Sequence, residues 1–331
     1  MSEPLLKVQG LKTYFFLERG VVKAVDGVDF EIKKGEILGL VGETGCGKSV
    51  TALSIMRLIS SPGKTVEGKV IFEGEDLLKK SGEAMRKIRG TKISMIFQDP
   101  HTSLDPVFTI GYQIAEPIEL HQVEEQHLIS AKEVPKKVVE MLKLVGIPDP
   151  DHRVVEYPHQ FSGGMKQRAM TAMMISCNPS LLIADEPTTA IDVTIQAQIL
   201  DLMRDLRRKL GTSILLITHN LGVIAEMCDR VAVMYAGNIV EQADITTLFG
   251  SPKHPYTRAL LEAVPKVGAK RRELKTIPGM VPSLITPPPG CKFHPRCPHA
   301  MDMCREEFPQ MIEVGKEHLV RCYLYSGASK K

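Results

Sequence analysis

The sequence has 331 residues, enough for one large nucleotide-sized domain with a small appendage but short of three domains. Its 42 Lys and Arg against 39 Asp and Glu leave a formal charge of +3, too balanced for electrostatic binding to nucleic acid or a bare membrane surface. The longest apolar runs, such as residues 214–217, fall far short of the roughly 18 residues that span a bilayer. The start MSEPLLKVQG has neither a basic n-region nor an apolar h-region, so a cytoplasmic compartment is expected.

Near the start, Val28, Phe30 and Ile32 alternate with Asp29, Glu31 and Lys33, the period of a half-buried strand, and the N-terminal region reads as β-rich. Residues 36–41 give a compact strand signal, and residues 48–59 have the length and composition of a helix. Between them, Gly42-Glu43-Thr44-Gly45-Cys46-Gly47-Lys48-Ser49 satisfies the G-x-x-x-x-G-K-[ST] pattern. Glycines let backbone N–H groups curl around phosphates. Lys48 then reaches the β and γ phosphates, and the Ser49 hydroxyl holds Mg²⁺ at the helix start. Cys46 reads as a small filler inside this loop.

From about residue 99 to 157 the pattern turns helical and polar, broken by Pro148, Pro150 and Pro158, which predicts an inserted helical subdomain. Residues 181–185 and 213–218 are apolar runs of strand length. They are separated by a helix whose one face carries Ile195, Ile199, Leu202, Leu206 and Leu210. Asp192 is the expected N-cap of that helix and Gly211 its stop. Strand, helix, strand argues for a largely parallel sheet. The first of these strands ends in Asp185-Glu186. Alone, such a pair is usually a solvated strand end. With a phosphate loop in the same chain, Asp185 is expected to support Mg²⁺ through water and Glu186 to orient or deprotonate the attacking water.

Phe161-Ser162-Gly163-Gly164-Met165, followed by a helix-compatible stretch to Cys177, resembles the signature of ABC transporter ATPases, with Phe161 and Met165 where Leu and Gln are usual. Other motifs follow in that family's order. Gln98 resembles the Q-loop glutamine, residues 189–192 the D-loop, His219 the switch histidine, and Tyr14 the aromatic that stacks on adenine. The resemblance covers about residues 4–250.

It implies that ATP is bound by Tyr14, Gly42, Glu43, Thr44, Gly45, Cys46, Gly47, Lys48, Ser49 and Val50, and Mg²⁺ by Ser49, Gln98 and Asp185. Catalysis is then expected from Glu186, His219 and Gln98. Ser162, Gly163, Gly164 and Asp192 are expected to contact the ATP of a second ATPase subunit, identical or similar, in a head-to-tail dimer. The fold implied is a P-loop α/β core over residues 1–250, with an N-terminal antiparallel β subdomain and a helical insert at about 99–165. Residues 251–331 form a small cysteine-bound tail.

After about Gly250 the composition shifts to Pro and basic residues, and residues 286–290 hold three consecutive prolines, a linker into that tail. His254-Pro255-Tyr256-Thr257-Arg258-Ala259-Leu260, and later Ile277-Pro278-Gly279 through Phe293-His294-Pro295-Arg296-Cys297-Pro298, resemble the C-terminal extension of oligopeptide and dipeptide importer ATPases. Relatives that import nickel or other small solutes share this extension. The resemblance implies ATP-driven peptide uptake with two transmembrane permeases, supplied by an extracytoplasmic peptide-binding protein. The chain would sit peripherally on the cytoplasmic face of the cell membrane and bind no nucleic acid. A soluble ABC ATPase of translation or DNA repair is the rival reading. Those chains usually carry two cassettes or a long coiled coil, and this one has a single compact cassette.

Seven cysteines are an odd number, and four of them, Cys291, Cys297, Cys304 and Cys322, crowd the tail with gaps of five, six and seventeen residues. These gaps are unlike the close C-x₂-C knuckles of structural zinc sites. Four thiolates enclose either Zn²⁺ or an iron–sulfur cluster, and His294, His299 and His318 are near enough in sequence to replace one. The peptide-importer resemblance implies a [4Fe–4S] cluster, with Zn²⁺ as the alternative and free buried thiols as the third reading. Ligation is expected to hold so short a segment folded.

Overall fold

The computed structural model describes residues 3–97, 104–188, 193–264 and 276–327. The chain divides into two compact units, residues 1–78 with 216–331 and residues 79–215. The first unit opens with the antiparallel hairpin β1 (Leu6–Leu17) and β2 (Gly20–Ile32), with Leu17 opposite Gly20. Val28, Phe30 and Ile32 are buried and Asp29 is exposed, as the alternation predicts. Strand β3 (Ile37–Val41) is buried at all five residues. Strands β4 (Gly63–Phe72) and β5 (Glu75–Asp76) complete an antiparallel sheet of order β2-β1-β4-β5.

The second unit contains the parallel pair β6 (Ile93–Ile96) and β7 (Leu181–Asp185). Every described regular element between these two strands is helical. Ile110, Ile114 and Ile118 on one helix, and Val134, Val138 and Met141 on another, are buried at the spacing of a single helix face. Helix Val193–Leu210 buries Ile199, Leu202 and Leu206. Leu210, expected on the same face, is exposed, because the helix stops there: Gly211 turns left-handed (φ 68°) and its amide donates to the Arg207 carbonyl at 3.0 Å. Asp192 lies outside the described residues. The chain leaves this unit along β8 (Ser213–Ile217).

Back in the first unit, β9 (Arg230–Tyr235) runs parallel to β3, with Val41 opposite Val233, and β10 (Asn238–Asp244) returns antiparallel to β9. The short strands β11 (Ile312–Gly315) and β12 (His318–Val320) pair with one another, and β12 also pairs with β10. Residues after Gly250 therefore belong to the first unit and do not stand as a body of their own.

Two buried clusters hold them there. The carboxylate of Glu241 on β10, fully buried, meets His318 Nε2 at 2.7 Å and accepts the amides of Lys253 (2.7 Å) and His254 (2.8 Å). This satisfies a group whose burial is costly when it is unpaired. The rings of Tyr235, Tyr256 and Phe293 pack with centroids 4.6 to 5.4 Å apart, Tyr235 meeting Phe293 edge-on. Each such pair adds about 0.5–1.5 kcal/mol beyond its area burial. Among the described residues no helix is long and apolar enough to cross a membrane.

His254 caps helix Pro255–Glu262, its Nδ1 accepting the Tyr256 amide at 3.1 Å, so that nitrogen carries no proton. Burial alone pushes its pKa down from the usual 6.5 to about 3. Between those two values the unfolded chain binds a proton that the folded chain refuses, so this contribution is complete above pH 6.5 and declines as pH falls towards 3. Thermal unfolding followed between pH 7.5 and 4.5 should show stability falling below pH 6.5 by up to about 1.4 kcal/mol per pH unit from this residue. His254→Asn, which keeps a capping oxygen, should flatten that slope.

Candidate functional site

Strand β3 delivers the chain into the Gly-rich loop, and helix Lys48–Ile55 leaves it. Gly47 is the N-cap, in a left-handed conformation (φ 109°). A Cβ there would overlap the carbonyl oxygen of Ala24 on β2, and one at Gly42 would overlap the carbonyl oxygen of Met234 on β9. Both positions thus require glycine for close backbone approach. The helix is fixed below the loop by Thr51 Oγ1 to the Gly47 carbonyl (2.9 Å) and by a Thr13–Ser54 hydroxyl pair at 2.7 Å.

Lys48 is buried, and its Nζ donates to the carbonyls of Gly42 (2.8 Å) and Glu43 (3.1 Å). A cation held over curled backbone with no room for side chains is a cradle that fits the β and γ phosphates of a nucleotide. Thr44 and Gly45 at the loop's crest are exposed, while Ser49 and Val50 are half-buried. Cys46 fills the space beneath the loop, and burial raises its thiol pKa.

Tyr14 is half-exposed on β1, and its hydroxyl donates to Asp26 Oδ1 at 2.6 Å. Burial would push Asp26 up, but the Tyr14 hydroxyl and the Lys292 ammonium (2.9 Å from Oδ2) hold it below the usual carboxylate range. His219 is exposed just past the end of β8, where the Thr218 amide donates to the Leu40 carbonyl of β3 at 3.4 Å. The first unit therefore carries the loop, Tyr14 and His219.

The second unit carries Ser162, Gly163, Gly164, Asp185 and Glu186. Asp185 is buried at the end of β7, and Glu186 follows it with φ 48°. A left-handed non-glycine residue at a strand end carries backbone strain, and Glu73 after β4 and Ala236 after β9 share the conformation. This strain is a signal that composition and spacing do not contain. Ser162 caps helix Gly163–Ile175, accepting the Met165 amide at 3.3 Å, and Ser162 and Gly163 are exposed at a positive helix end. Buried Gln167 of that helix donates to the Pro187 carbonyl at 2.9 Å, tying the exposed Ser-Gly turn to the segment after Glu186. Gln98 and residues 189–192, including Asp192, lie outside the described residues.

The tail departs from expectation. Cys291, Cys297, Cys304 and Cys322 do line one cavity, together with His254, His294 and His299. Among the described residues no group of three or more His, Cys, Asp or Glu side chains is placed to hold a metal ion. The expected [4Fe–4S] cluster and its Zn²⁺ alternative are therefore not supported by this arrangement. The cysteines are free, and burial pushes Cys291 up to about 12, Cys322 up to about 11, and Cys297 up as well. Burial of these thiols favours their protonated form. His318, a sequence candidate for ligation, is instead bound to Glu241. The aromatic cluster, strand pairing and ion pairs do the holding that ligation was expected to do.

Sequence reasoning also missed Tyr256, Lys292 and Arg296. These three tail residues touch Glu43 of the loop or Asp26 beneath Tyr14, and no local pattern announces such long-range contacts.

Fold and loop together define a P-loop nucleotide-binding cassette. Residues 25–189 match the ABC transporter family, and residues 240–304 match the family described as Oligopeptide/dipeptide transporter, C-terminal region. The chain is 54% identical over 324 residues to the probable peptide ABC transporter ATP-binding protein y4tR of Sinorhizobium fredii, covering 97% of this chain and 95% of that one. It is 52% identical to the oligopeptide transport ATP-binding protein AppD of Bacillus subtilis (97% of each chain) and 49% identical to that organism's dipeptide transport ATP-binding protein DppD (97% and 95%).

Among solved structures, the ATP-binding cassette MJ0796, a dimer bound to ADP and Pi, is similar with TM-score 0.64 and 25% identity over 72% of this chain and 98% of that one. The cassette cbiO1 of the ABC transporter complex cbiONQ from Clostridium perfringens is similar with TM-score 0.64 and 26% identity, over 76% and 92%. The chain belongs to the ATP-binding proteins of the ABC transporter family, which are ATPases, and to those members that carry the oligopeptide/dipeptide transporter C-terminal region.

Removing the Lys48 ammonium should weaken ATP binding about 10- to 100-fold, the range of a charge-assisted contact to phosphate. Calorimetry on Lys48→Ala at physiological salt measures it. Gly47→Ala, which must displace the Ala24 carbonyl, should lower the stability of the first unit by about 1–3 kcal/mol in denaturant melts.

Proposed function

We propose that this chain is the ATP-hydrolysing subunit of an importer of dipeptides or oligopeptides. The observation that carries the reading is the C-terminal match at residues 240–304, joined to about half identity with peptide and dipeptide transport ATP-binding proteins over 97% of the chain. In this reading two such ATPase subunits, alike or merely similar, close head to tail on two permeases at the cytoplasmic face of the membrane. An extracytoplasmic binding protein hands over the peptide.

Tyr14 stacks on adenine, residues 42–50 wrap the phosphates, and Ser162, Gly163, Gly164 and Asp192 contact the nucleotide of the opposite subunit. Ser49, Asp185 and Gln98 hold Mg²⁺, which when bound neutralises phosphate charge. Glu186 accepts the proton of the attacking water, and His219 senses the γ phosphate. The burial of Asp185 and the strained turn at Glu186 support this division of roles. We assign permease contact to the helical stretch after Gln98, about residues 99–165, where Val107, Phe108, Tyr112, Leu128 and Val155 are exposed apolar side chains.

Glu186→Gln should retain ATP binding while hydrolysis by the assembled transporter slows about 10²- to 10⁴-fold, because the base is lost and the Mg²⁺ ligands are spared. Uptake of labelled di- and oligopeptides by cells lacking this subunit should be restored by the wild-type gene and not by Glu186→Gln. Undiminished peptide uptake in the deletion strain, with nickel uptake lost instead, would replace the peptide reading by the small-solute one.

A further inference from the structure

Glu43, the second residue of the phosphate loop, is gripped from outside the loop. Its amide donates to the hydroxyl of the fully buried Tyr256 at 2.9 Å. Its carboxylate receives a two-pronged ion pair from Arg296, Nη1 to Oε2 at 2.8 Å and Nη2 to Oε1 at 3.1 Å. Arg296 is itself immobilised. Its remaining donors reach the carbonyls of Pro278 (2.8 Å) and Ile277 (3.3 Å) and the Tyr235 hydroxyl (3.4 Å), so all five guanidinium N–H groups are engaged. The side chain is only 5% exposed, and Glu43 is 26% exposed, so water screens the pair little. Arg296 and Tyr256 both come from the region after Gly250, yet the residue they hold lies in the loop that cradles phosphate.

We infer that Arg296 is a positioning residue for nucleotide binding, acting through Glu43, with Tyr256 as its backbone counterpart. Lys48 also braces the loop, donating to the carbonyls of Gly42 and Glu43. Bound phosphate takes the ammonium's third donor and competes for the two that hold these carbonyls. The grip of Arg296 and Tyr256 on residue 43 does not involve Lys48 and remains. The C-terminal region therefore supplies the loop with pre-organisation that does not depend on Lys48. Arg rather than Lys is required, because only a planar fork satisfies both carboxylate oxygens and two fixed carbonyls at once.

This inference rests on the nucleotide-binding role proposed for the loop, and the test separates the two. Full-length Arg296→Ala, Glu43→Ala and the double variant are titrated with MgATP by calorimetry, and their thermal midpoints are measured alongside. Arg296→Ala should bind MgATP about 10-fold more weakly, within the usual range of coupling between sites. The double variant should bind no worse than the weaker single one, the mark of two residues acting as a unit. Wild-type affinity in Arg296→Ala, even with a lowered midpoint, would reduce Arg296 to a structural residue and overturn the inference. So would losses that multiply in the double variant. Where Arg296→Ala does not fold, Arg296→Lys, which keeps the charge and breaks the fork, is held to the same comparison and should lose several-fold in affinity. A wild-type chain that binds no MgATP overturns the nucleotide role itself, and this inference with it.

Discussion

The nucleotide cradle depends on backbone lying directly against backbone. At Gly42 the loop presses on the carbonyl of Met234, and at Gly47 on that of Ala24, with no volume for a methyl group at either point. Met234 belongs to β9, laid parallel beside β3, and Ala24 belongs to β2 in the N-terminal antiparallel sheet. Three segments distant in sequence must therefore converge within van der Waals contact before the loop can take its shape. The glycine pattern permits this approach, and the strand pairing enforces it.

Electrostatics inside the first unit follow from the same convergence. Charged groups near the loop are removed from water and survive only because each finds an opposite charge or several donors: Lys292 on Asp26, Arg296 on Glu43, His318 with two amides on Glu241. In every one of these pairs a partner comes from beyond residue 290. Removing one member of such a pair strands its mate in low dielectric, a far larger cost than loss of a surface ion pair. The C-terminal region is thus an electrostatic part of the nucleotide-binding unit.

The four tail cysteines show how sequence crowding and chemical function separate. They face one small cavity among His254, Phe293 and Pro309, yet among the described residues no group is placed to hold a metal ion, and burial raises the pKa of Cys291, Cys297 and Cys322. Packing of Tyr256 and Phe293 against Tyr235 of β9 gives this region an apolar core shared with the rest of the unit. A ligand-held fold was expected because a short Pro-rich segment buries little surface by itself. In this structure its packing is shared with β9 and β10.

Local physics made much of the molecule legible from the sequence. The alternation at Val28, Phe30 and Ile32, the apolar strands ending at Val41 and Asp185, and the Gly-x₄-Gly-Lys-Ser run each encode their conformation within a few residues. Period-two burial and positive-φ glycine are local constraints. Motif order then identified the family. Tertiary structure alone decided what depends on distance: the left-handed turn at Glu186, the pairing of β12 with β10, and the seating of Arg296 and Tyr256 on Glu43, more than two hundred residues away. A charged residue's sequence neighbours do not reveal its partner, because an ion pair between remote segments is selected by burial and geometry after the backbone has closed.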